Sequence, residues 1–214
     1  MKPPADIRFL ITAGPTREFL DPIRYISNRS SGKMGYAIAV AARAISSQVV
    51  LVSGPTALAA PQGVEFVPVT TAQEMAEAVW SRFEAVDVCI MAAAVCDFRP
   101  KKTATGKIKK GKFSGVLELE PTPDILAELG RRKKSQVLVG FAAETDDLEK
   151  NAREKLERKA LDFIVANDAS AFDAETNRVA FITRGGKVER LAELPKSEVA
   201  KATVERAVGL LRGL

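Results

Sequence analysis

Residues 7–53 read IRFLITAGPTREFLDPIRYISNRSSGKMGYAIAVAARAISSQVVLVS. The apolar run Ile7–Thr12 predicts a buried strand, which ends in a turn at Gly14-Pro15-Thr16. After a loop that contains Pro22, apolar residues recur at helical spacing and predict a helix that begins near residue 32 or 33. Gln48–Ser53 is a second apolar run of strand length. Because strand, helix and strand follow in this order, the segment predicts a parallel sheet with a right-handed crossover.

The rest of the chain continues this alternation. Thr71-x-x-Glu74 is a capping box, and the apolar run Asp87–Ala94 is typical of a central parallel strand covered on both faces. Thr122-Pro123 predicts a helix start and Gly130 its end. Further predicted elements are strands at Val64–Val69, Phe113–Glu120, Gln136–Phe141 and Asp162–Ala166, helices at about 145–160 and 196–212, and a hairpin at 178–191. The predicted fold is α/β: one domain over residues 1–214, with a doubly wound, mostly parallel, Rossmann-like sheet and hairpin-like additions.

Composition narrows the class of protein. In 214 residues, 46% are hydrophobic and 28% charged, as in ordinary globular domains. The apolar runs are shorter than the ~20 residues of a membrane span, and the N-terminus does not resemble a secretory signal. Cys89 and Cys96 have neither CxxC nor zinc-site spacing. We therefore expect a cytoplasmic protein without a membrane partner.

The chain contains no histidine. This absence excludes Ser-His-Asp and Cys-His catalysis and most transition-metal sites. Chemistry must therefore use Lys, Arg, Asp, Glu, Asn, backbone amides or a hard cation such as Mg²⁺.

The net charge of +5 comes from one segment. Of the 32 basic residues, seven lie between Arg99 and Lys112, where there is no acid, which leaves 25 basic against 27 acidic residues elsewhere. A compact patch favours a small polyanion such as a triphosphate over nucleic acid, which usually needs a broad basic track. Because Gly106 and Gly111 flank Lys107-Ile108-Lys109-Lys110, residues 99–112 are predicted to be a mobile basic flap; a solvated charge run is the alternative.

The loop at residues 27–33, Ser-Asn-Arg-Ser-Ser-Gly-Lys, precedes the first predicted helix. Helix N-termini bind anions, and small residues such as Ser30, Ser31 and Gly32 permit close approach of a phosphate. The loop lacks the earlier glycine of a Walker A motif, and Met34 replaces its Ser or Thr. An ordinary N-capped helix remains an equal alternative.

Several predicted strands end in small residues followed by a carboxylate or an amide, the arrangement that borders ligands in open α/β sheets. Lys155 and Lys159 are one turn apart and would share a helix face. Capping, turn or surface ion-pair roles are the alternatives for each of these residues taken singly. The strand ends are Ala13-Gly14-Pro15-Thr16, residues 93–97, Phe141-Ala142-Ala143-Glu144 and Asn167-Asp168.

Two long motifs, residues 11–18 and 21–35, resemble bacterial phosphopantothenate–cysteine ligases, which form the CoaB portion of bifunctional CoaBC enzymes. The resemblance continues in order through residues 51–55, 92–100, 107–110, 122–125, 139–145 and 166–168. It implies a ligation in coenzyme A synthesis. The carboxylate of 4′-phosphopantothenate attacks the α-phosphate of CTP with Mg²⁺, releasing pyrophosphate, and the amine of L-cysteine then displaces CMP.

The resemblance also assigns residues. Asn28 and Lys107 correspond to catalytic positions, Asn28 in the second step and Lys107 in the flap. It implies substrate contacts at Asn28, Ala93, Ala94 and Asp97, and at Arg24 across a dimer. Nucleotide contacts are implied at Gly14, Ser30, Ser31, Gly32, Asp97, Lys107, Thr122, Pro123, Asp124, Ile125, Phe141, Lys155 and Lys159. No side chain is assigned to Mg²⁺, which the triphosphate would hold, and no flavin is expected.

Family members are homodimers, which implies an interface built from the additions around 113–120 and 178–191. The flavin-dependent decarboxylase that often precedes this domain in CoaBC fusions is absent from the sequence, so a stand-alone enzyme or an excised portion is expected. Cys96 and Thr122 depart from the family pattern, in which Ala or Ser, and Asn, are usual. The alternatives are the same ligation driven by ATP, a nucleotide-binding module without catalysis and, least favoured, a nucleic-acid binder.

Overall fold

The computed structural model describes residues 3–112, 115–144, 148–168 and 175–213. The helices are α1 (Lys33–Arg43), α2 (Ala72–Phe83), α3 (Ile125–Arg132), α4 (Leu148–Arg158) and α5 (Lys196–Leu211), with single 3-10 turns at Pro4–Asp6 and Lys110–Lys112. The strands are β1 (Phe9–Ala13), β2 (Arg17–Phe19), β3 (Tyr25–Ser27), β4 (Val49–Ser53), β5 (Glu65–Pro68), β6 (Val88–Met91), β7 (Phe98–Pro100), β8 (Leu119–Pro121), β9 (Val137–Glu144), β10 (Phe163–Asp168), β11 (Thr176–Asn177), β12 (Val179–Thr183), β13 (Val188–Arg190) and β14 (Leu194–Pro195).

The main sheet has eight strands in the order β13-β12-β10-β9-β6-β1-β4-β5. Strands from β10 to β5 pair in parallel, whereas β12 and β13 form an antiparallel edge. From β1 the chain moves outward to β4 and β5, and then crosses to the other side of β1 for β6, β9 and β10. The strand order therefore reverses between β1 and β6, and open α/β sheets bind ligands at such a point. The predicted doubly wound, mostly parallel class is confirmed.

Side chains of β1 alternate between the two faces of the sheet, as the period of a strand requires. Phe9 and Ile11 belong to the core cluster that includes residues of α1 and α5, while Leu10 belongs to the cluster on the opposite face that includes residues of α2, α3 and α4. All three are fully buried, and burial of each contributes about 1.5–3 kcal/mol. The sheet thus lies between two helical layers. In the described residues, no helix combines the length and apolarity that a bilayer span requires.

Helix α3 differs from its prediction at both ends. It begins at Ile125 rather than Pro123, because Asp124 is the N-cap and accepts a hydrogen bond from the Ala127 N–H at 3.0 Å. Gly130 lies inside the helix instead of ending it. A Cβ at Gly130 would lie 2.2 Å from the carbonyl oxygen of Lys159, so this glycine permits close packing against the segment that follows α4.

Three short two-stranded ribbons add to the sheet. The β2–β3 hairpin occupies a stretch predicted as a loop, and its turn is closed by Asp21, whose carboxylate accepts the N–H groups of Ile23 (2.9 Å) and Arg24 (2.8 Å). In the described part of the predicted strand Phe113–Glu120, pairing begins only at Leu119, in β8 with β7; residues 113–114 lie outside the description. The third ribbon joins β11 to β14. The predicted 178–191 hairpin is confirmed as β12–β13.

Candidate functional site

A cavity of about 460 Å³ opens at the point where the strand order reverses. Three groups of residues line it. The first is the loop and helix start at residues 28–35, and the second is the segment that follows β6, residues 92–95 with Asp97. The third group consists of Phe141, Lys155, Asn167, Asn177 and Lys196. The geometry therefore brings together the predicted residues Asn28, Ser30, Ser31, Gly32, Ala93, Ala94, Asp97, Phe141 and Lys155.

Helix α1 points its N-terminus into this cavity. Its N-cap is Gly32, whose φ of +78° favours glycine and which has no side chain that could cap the helix. The hydroxyl of Ser30 accepts the N–H of Gly32 itself at 3.3 Å. The structure therefore does not show an ordinary side-chain-capped helix. Unpaired N–H groups and the positive end of the helix dipole make this turn suited to an anion.

Asn28 connects the two main walls of the cavity. Its side-chain nitrogen donates to the carbonyl oxygens of Ala94 at 3.1 Å and Val95 at 3.0 Å. Both amide hydrogens are thereby used. A substrate oxyanion can receive one of them only if it displaces a carbonyl, whereas the carboxamide oxygen can accept a hydrogen bond without rearrangement.

The floor beneath Asn28 is fixed by Thr16. Its hydroxyl accepts the Cys96 N–H at 2.9 Å, and its carbonyl accepts the Ser27 hydroxyl at 2.7 Å. Burial raises the pKa of the Cys96 thiol. Cys96 is thus a neutral packing residue rather than a nucleophile.

The cavity carries excess positive charge. Arg29, Lys33, Lys155 and Lys196 line it, and Asp97 is the one carboxylate among the described lining residues. Lys155 Nζ donates to the carbonyl of Phe141 at 2.7 Å, which holds the ammonium against the carboxyl-terminal half of β9. Such a surface favours a polyanionic ligand.

The turn 122–125 adjoins the cavity without lining it. The Thr122 N–H donates to the Asp97 carbonyl at 2.9 Å, and the Thr122 hydroxyl donates to the Cys96 carbonyl at 2.5 Å. Lys159 is buried and ion-paired with Asp124. Partial burial opposes ionisation of Asp124, but hydrogen bonds from Lys159 and from the Ala127 N–H outweigh it and lower the pKa of that carboxyl.

Three other predicted site residues lie away from the cavity. Gly14 packs behind the loop, with its Cα 3.4 Å from where a Cβ of Gly32 would be. Arg24 is ion-paired with Asp21 and donates to the carbonyl of Ile108 at 2.8 Å. The hydrogen bond from Arg24 holds the pKa of Asp21 well below its usual range. Lys107 is exposed and is not among the residues that line the cavity.

Two lining residues, Asn177 and Lys196, lie outside every motif and strand end that the sequence placed at the site. Asn177 sits in the two-residue strand β11, which has no recognisable pattern, and Lys196 is the first residue of α5. The predicted helix start at 196 was a usable signal for Lys196, because helix N-termini at the carboxyl edge of a sheet face ligands.

The cavity offers few side-chain ligands to a divalent cation. Within the described residues, no cluster of three His, Cys, Asp or Glu side chains could enclose a metal. Mg²⁺ is commonly held by one carboxylate together with substrate phosphates, and Asp97 in the cavity fits that arrangement.

Known proteins resemble this chain over most of its length. The domain family described as DNA/pantothenate metabolism flavoprotein C-terminal domain matches residues 5–210. The bifunctional coenzyme A biosynthesis protein CoaBC of Bacillus subtilis (strain 168) is 48% identical over 206 residues, which cover 94% of this chain and 51% of that protein. A relative from an unknown prokaryotic organism, named cysteine/cysteine sulfinic acid decarboxylase, is 45% identical over 216 residues, covering 98% of this chain and 60% of the relative.

The chain spans about half the length of the curated relatives it matches. The crystal structure of the C-terminal domain of a CoaBC protein has a TM-score of 0.86 and 45% identity, with 100% of both chains covered. This chain therefore belongs to the DNA/pantothenate metabolism flavoprotein C-terminal domain family, the family of the CoaB domain of CoaBC proteins.

Proposed function

We propose that this domain joins 4′-phosphopantothenate to L-cysteine with CTP as the energy source. The observation that carries the proposal is the pairing, in one cationic cavity, of an uncapped helix N-terminus with Asn28 held on the carbonyls after β6. The helix N-terminus can hold a phosphate chain, and Asn28 can position an acyl group. The similarity to CoaBC proteins, which are named for coenzyme A biosynthesis, supports this assignment.

In the first step, a carboxylate oxygen of 4′-phosphopantothenate attacks the α-phosphorus of CTP. A P–O bond forms to the acyl oxygen, and the bond to the β-phosphate oxygen breaks, releasing pyrophosphate. The N–H groups of the first turn of α1 and the ammonium of Lys155 would stabilise the developing charge. Lys107 would add a further cation when the flap closes.

In the second step, the cysteine amine attacks the acyl carbon and loses a proton, and CMP leaves with the bonding electrons. Asn28 would fix the acyl group and the amine beside Ala94. Its carboxamide oxygen can accept an amine N–H, or its nitrogen can exchange one carbonyl for the tetrahedral oxyanion. Either contact serves the second step alone.

Mg²⁺ would be held by Asp97 and the triphosphate, where it would neutralise charge on the phosphates. Asp97 follows the Ala92–Val95 wall and its carbonyl accepts the Thr122 N–H at 2.9 Å, which fixes its backbone. The protein's part is thus to present one carboxylate at the edge of an otherwise cationic cavity.

We also propose that the domain is a homodimer. The β2–β3 and β7–β8 ribbons adjoin, and their neighbourhood exposes large apolar side chains. These are Ile23 (60% exposed), Tyr25 (42%), Phe98 (54%), Val116 (70%) and Leu119 (47%). Apolar clusters of this kind are typical of protein interfaces. Arg24 is half exposed. A second copy bound to this surface would therefore lie next to the Arg24 side chain.

The test is product formation with defined substrates. Purified protein is incubated with 4′-phosphopantothenate, L-cysteine, Mg²⁺ and either CTP or ATP, and phosphopantothenoyl-cysteine is quantified by mass spectrometry. The proposal expects product with CTP and much less with ATP. Product that forms only with ATP would show that ATP, rather than CTP, drives the ligation. Tight nucleotide binding without any product would show that the domain is a nucleotide-binding module.

A further inference from the structure

Thr16 is the residue at which two walls of the cavity are joined. It lies just beyond the end of β1, is fully buried and does not itself line the cavity. Its N–H donates to the carbonyl of Ala94 at 3.2 Å, and its hydroxyl accepts the N–H of Cys96 at 2.9 Å. Its carbonyl accepts the hydroxyl of Ser27 at 2.7 Å. One buried residue therefore holds both the segment after β6 and the loop that carries Asn28.

The hydrogen bonds of Thr16 depart from those of a regular parallel ladder. Beyond the ends of β1 and β6, Pro15 and Ala94 form one more parallel bridge, in which the Ala94 N–H donates to the carbonyl of Gly14 at 2.9 Å. If the ladder continued, the next donor, the N–H of Cys96, would donate to the carbonyl of Thr16. The Thr16 hydroxyl accepts that N–H instead. The side chain therefore ends the ladder and leaves its own main-chain carbonyl to bind the loop.

The end of the ladder sets the direction of two carbonyls. In a regular extended strand, consecutive carbonyls point in opposite directions. Here the carbonyls of Ala94 and Val95 both accept the side-chain nitrogen of Asn28, at 3.1 Å and 3.0 Å. The chain therefore turns between Ala94, which is still in the ladder, and Cys96, whose N–H is held by the Thr16 hydroxyl. The hydroxyl fixes the far side of this turn.

Loss of the hydroxyl would change the turn in one of two ways. The buried N–H of Cys96 could stay unpaired, which is costly inside a protein. Alternatively, it could continue the ladder to the carbonyl of Thr16, where it would compete with the Ser27 hydroxyl. Either change moves the carbonyl of Val95 relative to the Asn28 amide that it accepts.

We propose that Thr16 is a positioning residue for the second step, because its hydroxyl directs the carbonyls of Ala94 and Val95 at the Asn28 amide. This role rests on the proposed function and adds to it the residue that keeps Asn28 in its working orientation. Thr16 is buried, so it acts only through these neighbours. The groups that would bind phosphates in the first step should be little affected.

Thr16→Val tests this role, because it removes the hydroxyl and keeps the branched shape of the side chain. Amide formation should fall roughly tenfold to a hundredfold, the scale for a displacement of about 1 Å at a reacting group. The release of pyrophosphate in the absence of cysteine should keep its rate within about threefold, because the first step does not use the Asn28 amide. Thr16→Ser restores the hydroxyl and should return amide formation to nearly the wild-type rate.

Thr203→Val is the matched control. Thr203 of α5 is also fully buried, and its hydroxyl donates to the carbonyl of Val199 at 2.7 Å. The variant makes the same chemical change in the core, away from Asn28, and should alter neither step.

Nuclear magnetic resonance follows the Asn28 amide directly, whether or not the chain is a ligase. In isotopically labelled protein, the two side-chain amide protons of Asn28 are identified as the pair of signals that is missing from Asn28→Ala. This pair should have the same chemical shifts in the wild type, Thr16→Ser and Thr203→Val. In Thr16→Val it should move toward the shifts of a free asparagine amide, because at least one of its hydrogen bonds is lost.

Thermal unfolding shows whether each variant is folded, and Thr16→Ala makes the same deletion if Thr16→Val does not fold. An unchanged pair of Asn28 signals in a folded variant without the hydroxyl would overturn the assignment, as would equal loss of both reaction steps. Losses in Thr203→Val as large as those in Thr16→Val would also overturn it, since they would show a general effect of stability. A wild-type chain that makes no product would refute the proposed function, whereas the Asn28 signals would still decide whether Thr16 positions Asn28.

Discussion

The side-chain nitrogen of Asn28 lies 3.1 Å from the carbonyl oxygen of Ala94. This hydrogen bond crosses the point where the strand order reverses, and it ties the loop before α1 to the segment after β6. The same Ala94 carbonyl also accepts the Thr16 N–H at 3.2 Å. The first turn of α1 and the segment after β6, which we propose to hold the phosphates and the acyl group, are thus fixed relative to each other.

Asn28→Ala is expected to separate the two steps of the reaction. The helix N-terminus and the lysines that would meet the phosphates remain, so pyrophosphate release should continue. Amide formation should fall by roughly 10²–10³, the scale for loss of one positioned hydrogen-bonding group. Rapid quench with labelled CTP would show acyl-cytidylate accumulating.

Ser27→Ala is the matched control for this experiment. It removes the 2.7 Å hydrogen bond to the Thr16 carbonyl, and so loosens the same loop, but leaves the Asn28 amide in place. Amide formation should be far less affected than in Asn28→Ala. Equal loss of both steps in Asn28→Ala would show that the residue has no special part in the second.

Lys107→Gln is expected to lower kcat by roughly 10²–10³, because it removes one charge that would meet the phosphates in the transition state. Lys101→Gln makes the same change at another exposed position of the flap and should have little effect. Steady-state kinetics with saturating CTP measures both. Similar losses in the two variants would mean that only the total charge of the flap matters.

Asp21 should hold the flap against the β2–β3 hairpin. Its carboxylate accepts the Ile108 N–H at 3.1 Å and is ion-paired with Arg24, which itself binds the Ile108 carbonyl. Asp21→Asn should therefore speed tryptic cleavage after the flap lysines. Asp6→Asn, at an exposed position, should leave the cleavage rate unchanged. Equal cleavage rates for wild type and Asp21→Asn would rule out this tether.

The contact between the Asp21 carboxylate and the flap should also depend on pH in a defined direction. Because the folded-state pKa of Asp21 lies below the ordinary value of 3.8, its ionised form stabilises the fold above that value. This stabilisation is lost only as the pH falls through the lower, folded-state pKa. Hydrogen exchange of residues 101–108 should thus stay protected from pH 7 down to about pH 4. Loss of protection near pH 6 would point to another group.

Leu119→Asp should disrupt the proposed dimer, because it places a charge in the apolar surface formed by the two ribbons. Sedimentation should give a dimer for the wild type and a monomer for this variant. Val40→Asp, at a 57% exposed position on α1, is the control and should remain dimeric. A wild-type chain that is monomeric at micromolar concentration would contradict the proposal.

The parts of the fold that could be predicted are those with strong local patterns. The apolar run at β1, the capping box of α2 and the glycine turn of the β12–β13 hairpin each encode one element. The β2–β3 hairpin was missed because three-residue strands show too little alternation. Its stability comes instead from tertiary contacts, such as the Asp21 hydrogen bonds and the edge-on packing of Phe19 against Tyr25 at 5.8 Å.

The candidate site was likewise predictable only where a local sequence pattern carries the residues. Asn28, the α1 turn and the strand end after β6 could be identified because contiguous motifs carry them. Lys155 and Lys159 were expected to share one helix face, but α4 ends at Arg158 and Ala160 has a φ of +50°. Lys155 therefore reaches the cavity while Lys159 pairs with Asp124. Asn177 could not be identified, since its burial depends on the pairing of β11 with the distant β14.

The central claim is that this cavity activates a carboxylate with CTP before cysteine takes part. It is tested most directly by mixing the protein with CTP, Mg²⁺ and 4′-phosphopantothenate, without cysteine, and measuring pyrophosphate. The account predicts a burst of about one pyrophosphate per active site, which stops until cysteine is added. Pyrophosphate release that requires cysteine, or that occurs without 4′-phosphopantothenate, would contradict it.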